Sequence, residues 1–345
     1  MELASFETIT EILPIEGADR IELARVQGWQ SVIRKGDYKV GDTVIFVPID
    51  TVLPPAVWNE HLWDKNDPKK PIRVKTVKLR GVISQGLIFP RSLVSAQEIW
   101  DCHDDPEEDV SVAGILGITK YEKPVPAHLA GQVAGDFPTH LVSKTDEDNL
   151  KSNIEVLDEL KEADFVEATI KIDGTSATYI KETDGTFRVC SRNLELKDTE
   201  SNVHWQIARK YDIEKNLVPG NCIQGEIAGP GIQGNPAGFS EVSFFAFNVI
   251  NLGNRKPIQR DSWFIGMSLI GNTIPDVPRV RLFDKETFSA MSVDDLQQWV
   301  NGITYENKKP AEGIVFRGIK DGKIMYSHKL QKMLSVKIIN QNFKD

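Results

Sequence analysis

The sequence predicts an α+β protein of two domains, a small all-β barrel or sandwich followed by a larger domain rich in antiparallel sheet. Three observations carry that expectation. The first hundred residues hold short apolar runs separated by turn signals. Beyond residue 165 strand-like runs dominate again, with two secure helices among them. The length of 345 residues exceeds one domain at a prior of about 150 residues per domain.

Taken in order, the first strands are expected at 21–26, 29–33, 43–47, 74–79 and 86–89. Their separators include Gly36-Asp37, Gly41-Asp42, Pro54-Pro55 and Asp67-Pro68. An acidic linker is expected over 101–138, where charge runs meet Pro124, Pro126 and Pro138. A helix is expected over 146–163, because Leu150, Ile154, Leu157 and Leu160 recur at helical spacing behind a Thr145/Asp148 capping pattern. Strands follow at 165–172, 177–181, 187–190, 222–228, 242–249, 313–317 and 325–327. The two secure helices span 203–211 and 292–302, the second opened by Ser292 with Asp295 and closed by Gly302.

Composition excludes several classes. Hydrophobic residues make up 40% and charged residues 26%, as in ordinary globular proteins. Nothing approaches 18 uninterrupted apolar residues, so no membrane partner is expected. No basic stretch precedes an apolar run at the N-terminus, and three scattered cysteines suit neither a disulfide framework nor a four-cysteine zinc site. An intracellular location, cytoplasmic or nuclear, and a monomer are the expectations. The net charge of -9 argues against non-specific coating of nucleic acid. Local asymmetry reverses that: residues 65–80 carry seven basic side chains against Asp67 alone, whereas 101–109 carries six acids.

The feature that bears chemistry is Lys171-Ile172-Asp173-Gly174, placed where an apolar strand ends. Such a lysine is held on rigid backbone yet open to a ligand. To act as a nucleophile its amine must shed a proton, which a metal ion or neighbouring cations favour. By itself the pattern is weak, since Lys-x-Asp-Gly arises by chance in about one chain in ten of this length. Its company strengthens it: Ser191-Arg192-Asn193, Gly225-Glu226-Ile227, Phe244-Phe245-Ala246-Phe247, Glu312-Gly313-Ile314-Val315 and Ser335-Val336-Lys337 follow in order. No Gly-x4-Gly-Lys-Ser/Thr phosphate loop is present.

These six segments resemble motifs I, Ia, III, IIIa, IV and V of the covalent nucleotidyltransferases, the superfamily of polynucleotide ligases and capping enzymes. From Lys144 onward the chain is similar to the ATP-dependent RNA ligases. Lys78-Leu79-Arg80-Gly81 and Ser84-Gln85-Gly86-Leu87 resemble the OB domain that one branch carries in front. The resemblance implies an OB-like barrel over 1–100 and a nucleotidyltransferase domain over 139–345. It implies that Lys171 takes AMP from ATP, with Glu226 and Glu312 serving Mg2+ or Mn2+ directly or through water. Arg192 and Asn193 would reach the ribose or the phosphate of the incoming strand. Phe245 would stack on adenine, and Lys337 would contact the α-phosphate. Ile170 and Lys329 join the expected nucleotide contacts. Lys75, Lys78 and Arg80 would meet the sugar–phosphate backbone of RNA.

Two positions depart from the pattern. An arginine is common where Asp148 and Asn149 stand, and a lysine is common where Ser335 stands. Eight residues follow Lys337, too few for the trailing OB domain of capping enzymes and most DNA ligases. The expected partner is therefore RNA bearing 5′-phosphate and 3′-OH ends, presented in a duplex for nick sealing or repair. A guanylyltransferase or DNA ligase using the same lysine is the nearer rival. A non-catalytic RNA-binding OB protein is the rival of another class.

Overall fold

The computed structural model describes residues 2–65, 67–95, 111–121, 131–258 and 274–344. The chain divides into two compact units, Met1–Pro124 with Lys151–Ile154, and Val125–Leu150 with Glu155–Asp345.

The first unit is built on a five-stranded antiparallel sheet. Its strands are β1 (Ser5–Pro14), β2 (Ile21–Val26), β3 (Trp29–Arg34), β4 (Thr43–Val47) and β9 (Leu87–Pro90), in the order β3-β2-β1-β4-β9. Between β4 and β9 lie β5 (Thr51–Leu53), β6 (Ile72–Arg73) and the hairpin of β7 (Val77–Leu79) with β8 (Val82–Ser84). Apolar residues alternate inward along these strands. Ile45, Val47, Leu53 and Phe89 form one cluster, and Ile9, Ala24, Trp29 and Phe46 another. The central strand β1 falls outside the strands expected from sequence, because Thr8, Thr10 and Glu11 dilute its alternation. Of the expected strand 74–79 only β7 forms; Val74, between β6 and β7, donates its N–H to Thr51 C=O and packs in the core.

The stretch expected as linker is folded where it is described. Helix α1 (Val112–Ile115) and strand β10 (Thr119–Lys120) belong to the first unit, with Ala113, Leu116 and Ile118 buried in its core. Strand β11 (Val133–Asp136) belongs to the second unit. The physical cause is local: apolar residues at 112, 113, 115, 116 and 118 break the acidic composition that suggested a linker. The acidic run over 101–109 lies outside the described residues.

The second unit stacks its core around two sheets. Strands β12 (Asp148–Asn149), β13 (Phe165–Lys171), β20 (Arg279–Asp284), β21 (Gly313–Lys320) and β25 (Ser335–Ile339) form one sheet, ordered β12-β25-β21-β13-β20. Strand β22 (Lys323–Ile324) pairs with β21 off that path. The other sheet is ordered β11-β16-β15-β14-β17-β18-β19, from β14 (Thr175–Lys181), β15 (Phe187–Cys190), β16 (Leu194–Leu196), β17 (Asn221–Ala228), β18 (Ser243–Asn251) and β19 (Lys256–Ile258). A small ribbon joins β23 (Tyr326–Ser327) to β24 (Lys332–Met333).

Helices α2 (Val156–Lys161), α5 (Lys285–Ser289) and α6 (Val293–Asn301) contribute Leu160, Phe288, Leu296 and Val300 to the first sheet's core. Helices α3 (Val203–Lys210) and α4 (Ile213–Asn216) contribute Ile207 and Ile213 to the second's. Asn202 caps α3, and the reciprocal Ser292/Asp295 box caps α6 as the sequence predicts. The helix expected over 146–163 is real only over α2. Thr145 spends its hydroxyl on Ser176 Oγ at 2.6 Å, and Asp148 is paired with Lys332 at 2.8 Å, so the expected capping box does not form. Asp148–Asn149 instead pair in parallel with β25.

Candidate active site

The candidate site lies where the chain passes from one sheet of the second unit to the other. Strand β13 ends at Lys171 and β14 begins at Thr175, leaving three residues for the crossing. Gly174 makes that crossing possible: a Cβ there would stand 2.3 Å from the Ile227 carbonyl oxygen and 2.9 Å from Glu226 Cγ. Gly313 meets the same condition on the partner strand, where a Cβ would sit 2.3 Å from the Ile338 oxygen. These two motif glycines are therefore set by close backbone approach.

Backbone register brings the expected residues together. Lys171 is paired with Gly313, which places Glu312 at the mouth of the same ladder. On the second sheet, Ser176, Glu226 and Phe245 lie opposite one another across β14, β17 and β18, hence on one face. On the first sheet, Thr169, Val315 and Lys337 are likewise aligned, which puts Lys337 on the face that carries Lys171.

The Lys171 ammonium is hydrogen-bonded to Glu312 Oε1. Burial opposes its charge, but Glu312, Glu226 and Asp173 outweigh burial and hold the amine above its ordinary pKa. Glu226 behaves conversely. Burial pushes its carboxyl up to about 8 despite the nearby Lys171, and repulsion from Glu312 adds to the shift. The second oxygen of Glu312 is buried without a hydrogen-bond partner. A cluster of two glutamates, one aspartate and one amine is thus under-neutralised.

Around this centre the segment before β12 is tied down by polar contacts. Ser143 C=O accepts from Gln224 at 2.9 Å, and Lys144 donates to Asn193 Oδ1 at 2.9 Å. Arg192 is paired with Asp146 at 2.7 Å. Arg192 and Asn193 occupy the tight turn between β15 and β16, and Asn193 C=O accepts from Phe137 N–H. Phe245 is buried and stacked on Phe239, with ring centroids 4.6 Å apart. Phe247 is half-buried against the same core.

Other expectations are placed differently. The Ile170 side chain points into the core cluster, away from Lys171, and its N–H donates to Pro278 C=O. Lys329 stands on the exposed turn between β23 and β24, its N–H held by Glu159. Lys332, by contrast, bridges Asp148 and the Asp146 carbonyl. Ser335 is buried, accepting from Arg317 Nε and donating to Glu147. A hydroxyl serves that crowded position where a lysine is common. Tyr305, which no spacing marks, reaches the backbone beside both Lys171 and Glu312. Lys75, Lys78 and Arg80 are exposed on and before the β7–β8 hairpin of the first unit.

An OB-type sheet unit followed by a two-sheet unit with this lysine–carboxylate centre is the architecture of a nucleotidyltransferase. Comparison with known proteins narrows the class. An OB-fold domain model matches residues 3–91, and an RNA ligase model matches residues 164–330. Naegleria gruberi RNA ligase with pyrophosphate is 29% identical, covering 99% of this chain and 97% of its own, at a TM-score of 0.79. An apo aspartate-to-alanine mutant of that enzyme is 30% identical over 98% of this chain and 96% of its own, at a TM-score of 0.80. Among curated proteins compared by sequence, none matches. The chain belongs to the RNA ligase family.

Proposed function

We propose that this enzyme joins RNA ends through a covalent lysyl-AMP intermediate formed on Lys171. The observation that carries the reading is the Lys171 amine lodged between Glu312 and Glu226 at the sheet crossing. Structures of Naegleria gruberi RNA ligase include complexes with ATP and manganese, and with AMP and manganese. They support ATP as the substrate and a divalent cation as cofactor.

The residues fit such a cation. Glu312 offers a buried oxygen with no partner, and Glu226 lies close enough to repel it. Among the described residues no group of three His, Cys, Asp or Glu could hold a metal. Two carboxylates suit Mg2+ or Mn2+, which keep waters and substrate phosphate as further ligands. When bound, the cation supplies positive charge that offsets the carboxylates and favours the free-base amine.

The chain's own groups do the rest. Lys171 nitrogen bonds to the α-phosphorus as the bond to the bridging oxygen breaks and pyrophosphate leaves. The ammonium sheds two protons in becoming a neutral phosphoramidate nitrogen, and Glu312 is placed to receive the first. Lys337, on the Lys171 face, offsets charge growing on the α-phosphate. Phe245 and the turn of Arg192 and Asn193 hold the nucleotide. AMP then passes to an RNA 5′-phosphate: the P–N bond breaks, a 5′–5′ pyrophosphate forms and the amine regains its protons. Attack of a 3′-OH on the RNA phosphate expels AMP and seals the strand. Lys75, Lys78 and Arg80 engage the RNA backbone, and the fitting substrate is a nick in an RNA duplex, as repair would require.

The test is the mass of the purified protein after ATP and Mn2+. A gain of one adenylyl group, lost in Lys171→Met with the fold intact, is the expected result. No gain, or a bond on another side chain, removes the proposal. Labelled GTP in place of ATP separates the capping-type rival, and sealing assays on DNA and RNA nicks separate the DNA ligase.

A further inference from the structure

Beyond residues 171 and 313 the β13–β21 ladder ends, and two backbone donors on either side of it turn to a single oxygen. The Tyr305 hydroxyl accepts from Asp173 N–H at 3.3 Å and from Glu312 N–H at 3.4 Å, and it donates to the Lys171 carbonyl at 3.5 Å. Two lone pairs and one proton exhaust the capacity of a phenol. The contacts are long individually, but they converge from the residue carrying the amine, the turn after it and the residue carrying its carboxylate partner.

The tyrosine is itself held. Its ring is 8% exposed and packs in the core of the first sheet. Its backbone closes a turn, with Tyr305 N–H donating to Lys309 C=O and Lys308 N–H donating to Tyr305 C=O. A bridge between Thr304 and Pro310 fixes the base of that loop. The hydroxyl is thus anchored by core packing and by the turn that leads into β21.

We propose that Tyr305 is a positioning residue for adenylyl transfer to Lys171, its hydroxyl fixing the backbone of the nucleophile to the backbone of Glu312. The inference rests on Lys171 being the nucleophile. Without the hydroxyl, the Asp173 and Glu312 N–H groups lose the acceptor they share, and amine and carboxylate become free to shift relative to one another. A misplacement of about 1 Å can cost about 100-fold in rate even when every reacting group is present.

Tyr305→Phe keeps the ring and removes the hydroxyl with its three hydrogen bonds. The experiment measures three quantities in the full-length protein: the single-turnover rate of adduct formation with ATP and Mn2+, sealing of pre-adenylated RNA, and thermal midpoint. Sealing of pre-adenylated RNA bypasses attack by the lysine. Adduct formation is expected to slow by about tenfold or more, with KM for ATP within about twofold and sealing reduced by less than about twofold. Adduct formation at the parent rate overturns the inference, and so does an equal loss in both assays, which marks a purely structural role. Should the thermal midpoint fall far below the parent's, both rates are compared at a temperature where Tyr305→Phe and the parent are fully folded, and adduct formation there at the parent rate overturns the inference. Failure of the parent protein to form any adduct would instead overturn the lysyl-AMP reading itself.

Discussion

The amine of Lys171 is hydrogen-bonded to the carboxylate of Glu312, a residue 141 positions later in the chain. The contact joins the last residue of β13 to the residue just before β21, and the ladder between those strands holds it in place. It also sets the resting charge, because an ammonium held by the Glu312 carboxylate, with Asp173 nearby, is not yet a nucleophile.

Glu312→Gln keeps the side-chain shape and removes the charge. The manganese concentration needed for half-maximal adduct formation should rise by about tenfold or more. A titration of adduct against Mn2+ reads this directly. An unchanged midpoint would take Glu312 out of the metal site.

Two partly or fully buried groups should give the metal-free protein a stability dependence of opposite sign at the two ends of the pH range. The folded protein holds a proton on Glu226 up to about 8, against an ordinary 4.5, so stability falls as pH rises between those values. His204 is buried, and burial lowers its pKa from 6.5 to about 4. There the unfolded chain gains the proton first, so stability is lost as pH falls from 6.5 toward 4, by up to about 3 kcal/mol. Denaturant titrations should show Glu226→Gln flattening the alkaline limb and His204→Gln the acidic one. If both limbs survive both substitutions, these groups do not govern them.

Gly174→Ala should cost about 1–3 kcal/mol, since its Cβ would overlap the Ile227 carbonyl. Adduct formation should fall with it, because the same crossing carries Lys171. Gly135→Ala, where a Cβ meets nothing within 4 Å, serves as the control and should change stability by less than about 0.5 kcal/mol. Thermal midpoints of the two variants give the comparison.

Replacing Lys75, Lys78 and Arg80 together by Ala should weaken RNA binding and flatten its salt dependence. For every RNA phosphate that the variant no longer neutralises, the slope of log K against log salt should shrink by about 0.7–0.9. Adduct formation should stay at the parent rate. Binding isotherms at several salt concentrations decide the matter, and an unaltered slope would mean that the hairpin does not touch phosphate.

What was legible of the candidate site came through short motifs: Lys171, Glu226, Glu312 and Lys337 stand in segments that resemble those of the nucleotidyltransferases. Strands β13, β14, β15, β17, β18 and β21 were legible as short apolar runs bounded by turns, since strands buried on both faces read as near-continuous apolar sequence, whereas β20 and β25 were not among those expected. The helix over 146–163 misled because helical spacing of leucines is a local signal. It lost to the pairing of Asp148–Asn149 with β25 and of Asp148 with Lys332, contacts made with residues nearly two hundred positions away.

The sequence by itself determined the two-part architecture, the family resemblance and the order of the candidate site residues, all of which rest on local pattern. Only the tertiary structure decided that Ile170 turns its side chain to the core, that Ser335 serves Arg317 and Glu147, and that Tyr305 stands between Lys171 and Glu312. Those facts depend on which strand edges meet and on which buried donors lack an acceptor. Both are properties of the closed fold, set by contacts between residues far apart in the chain.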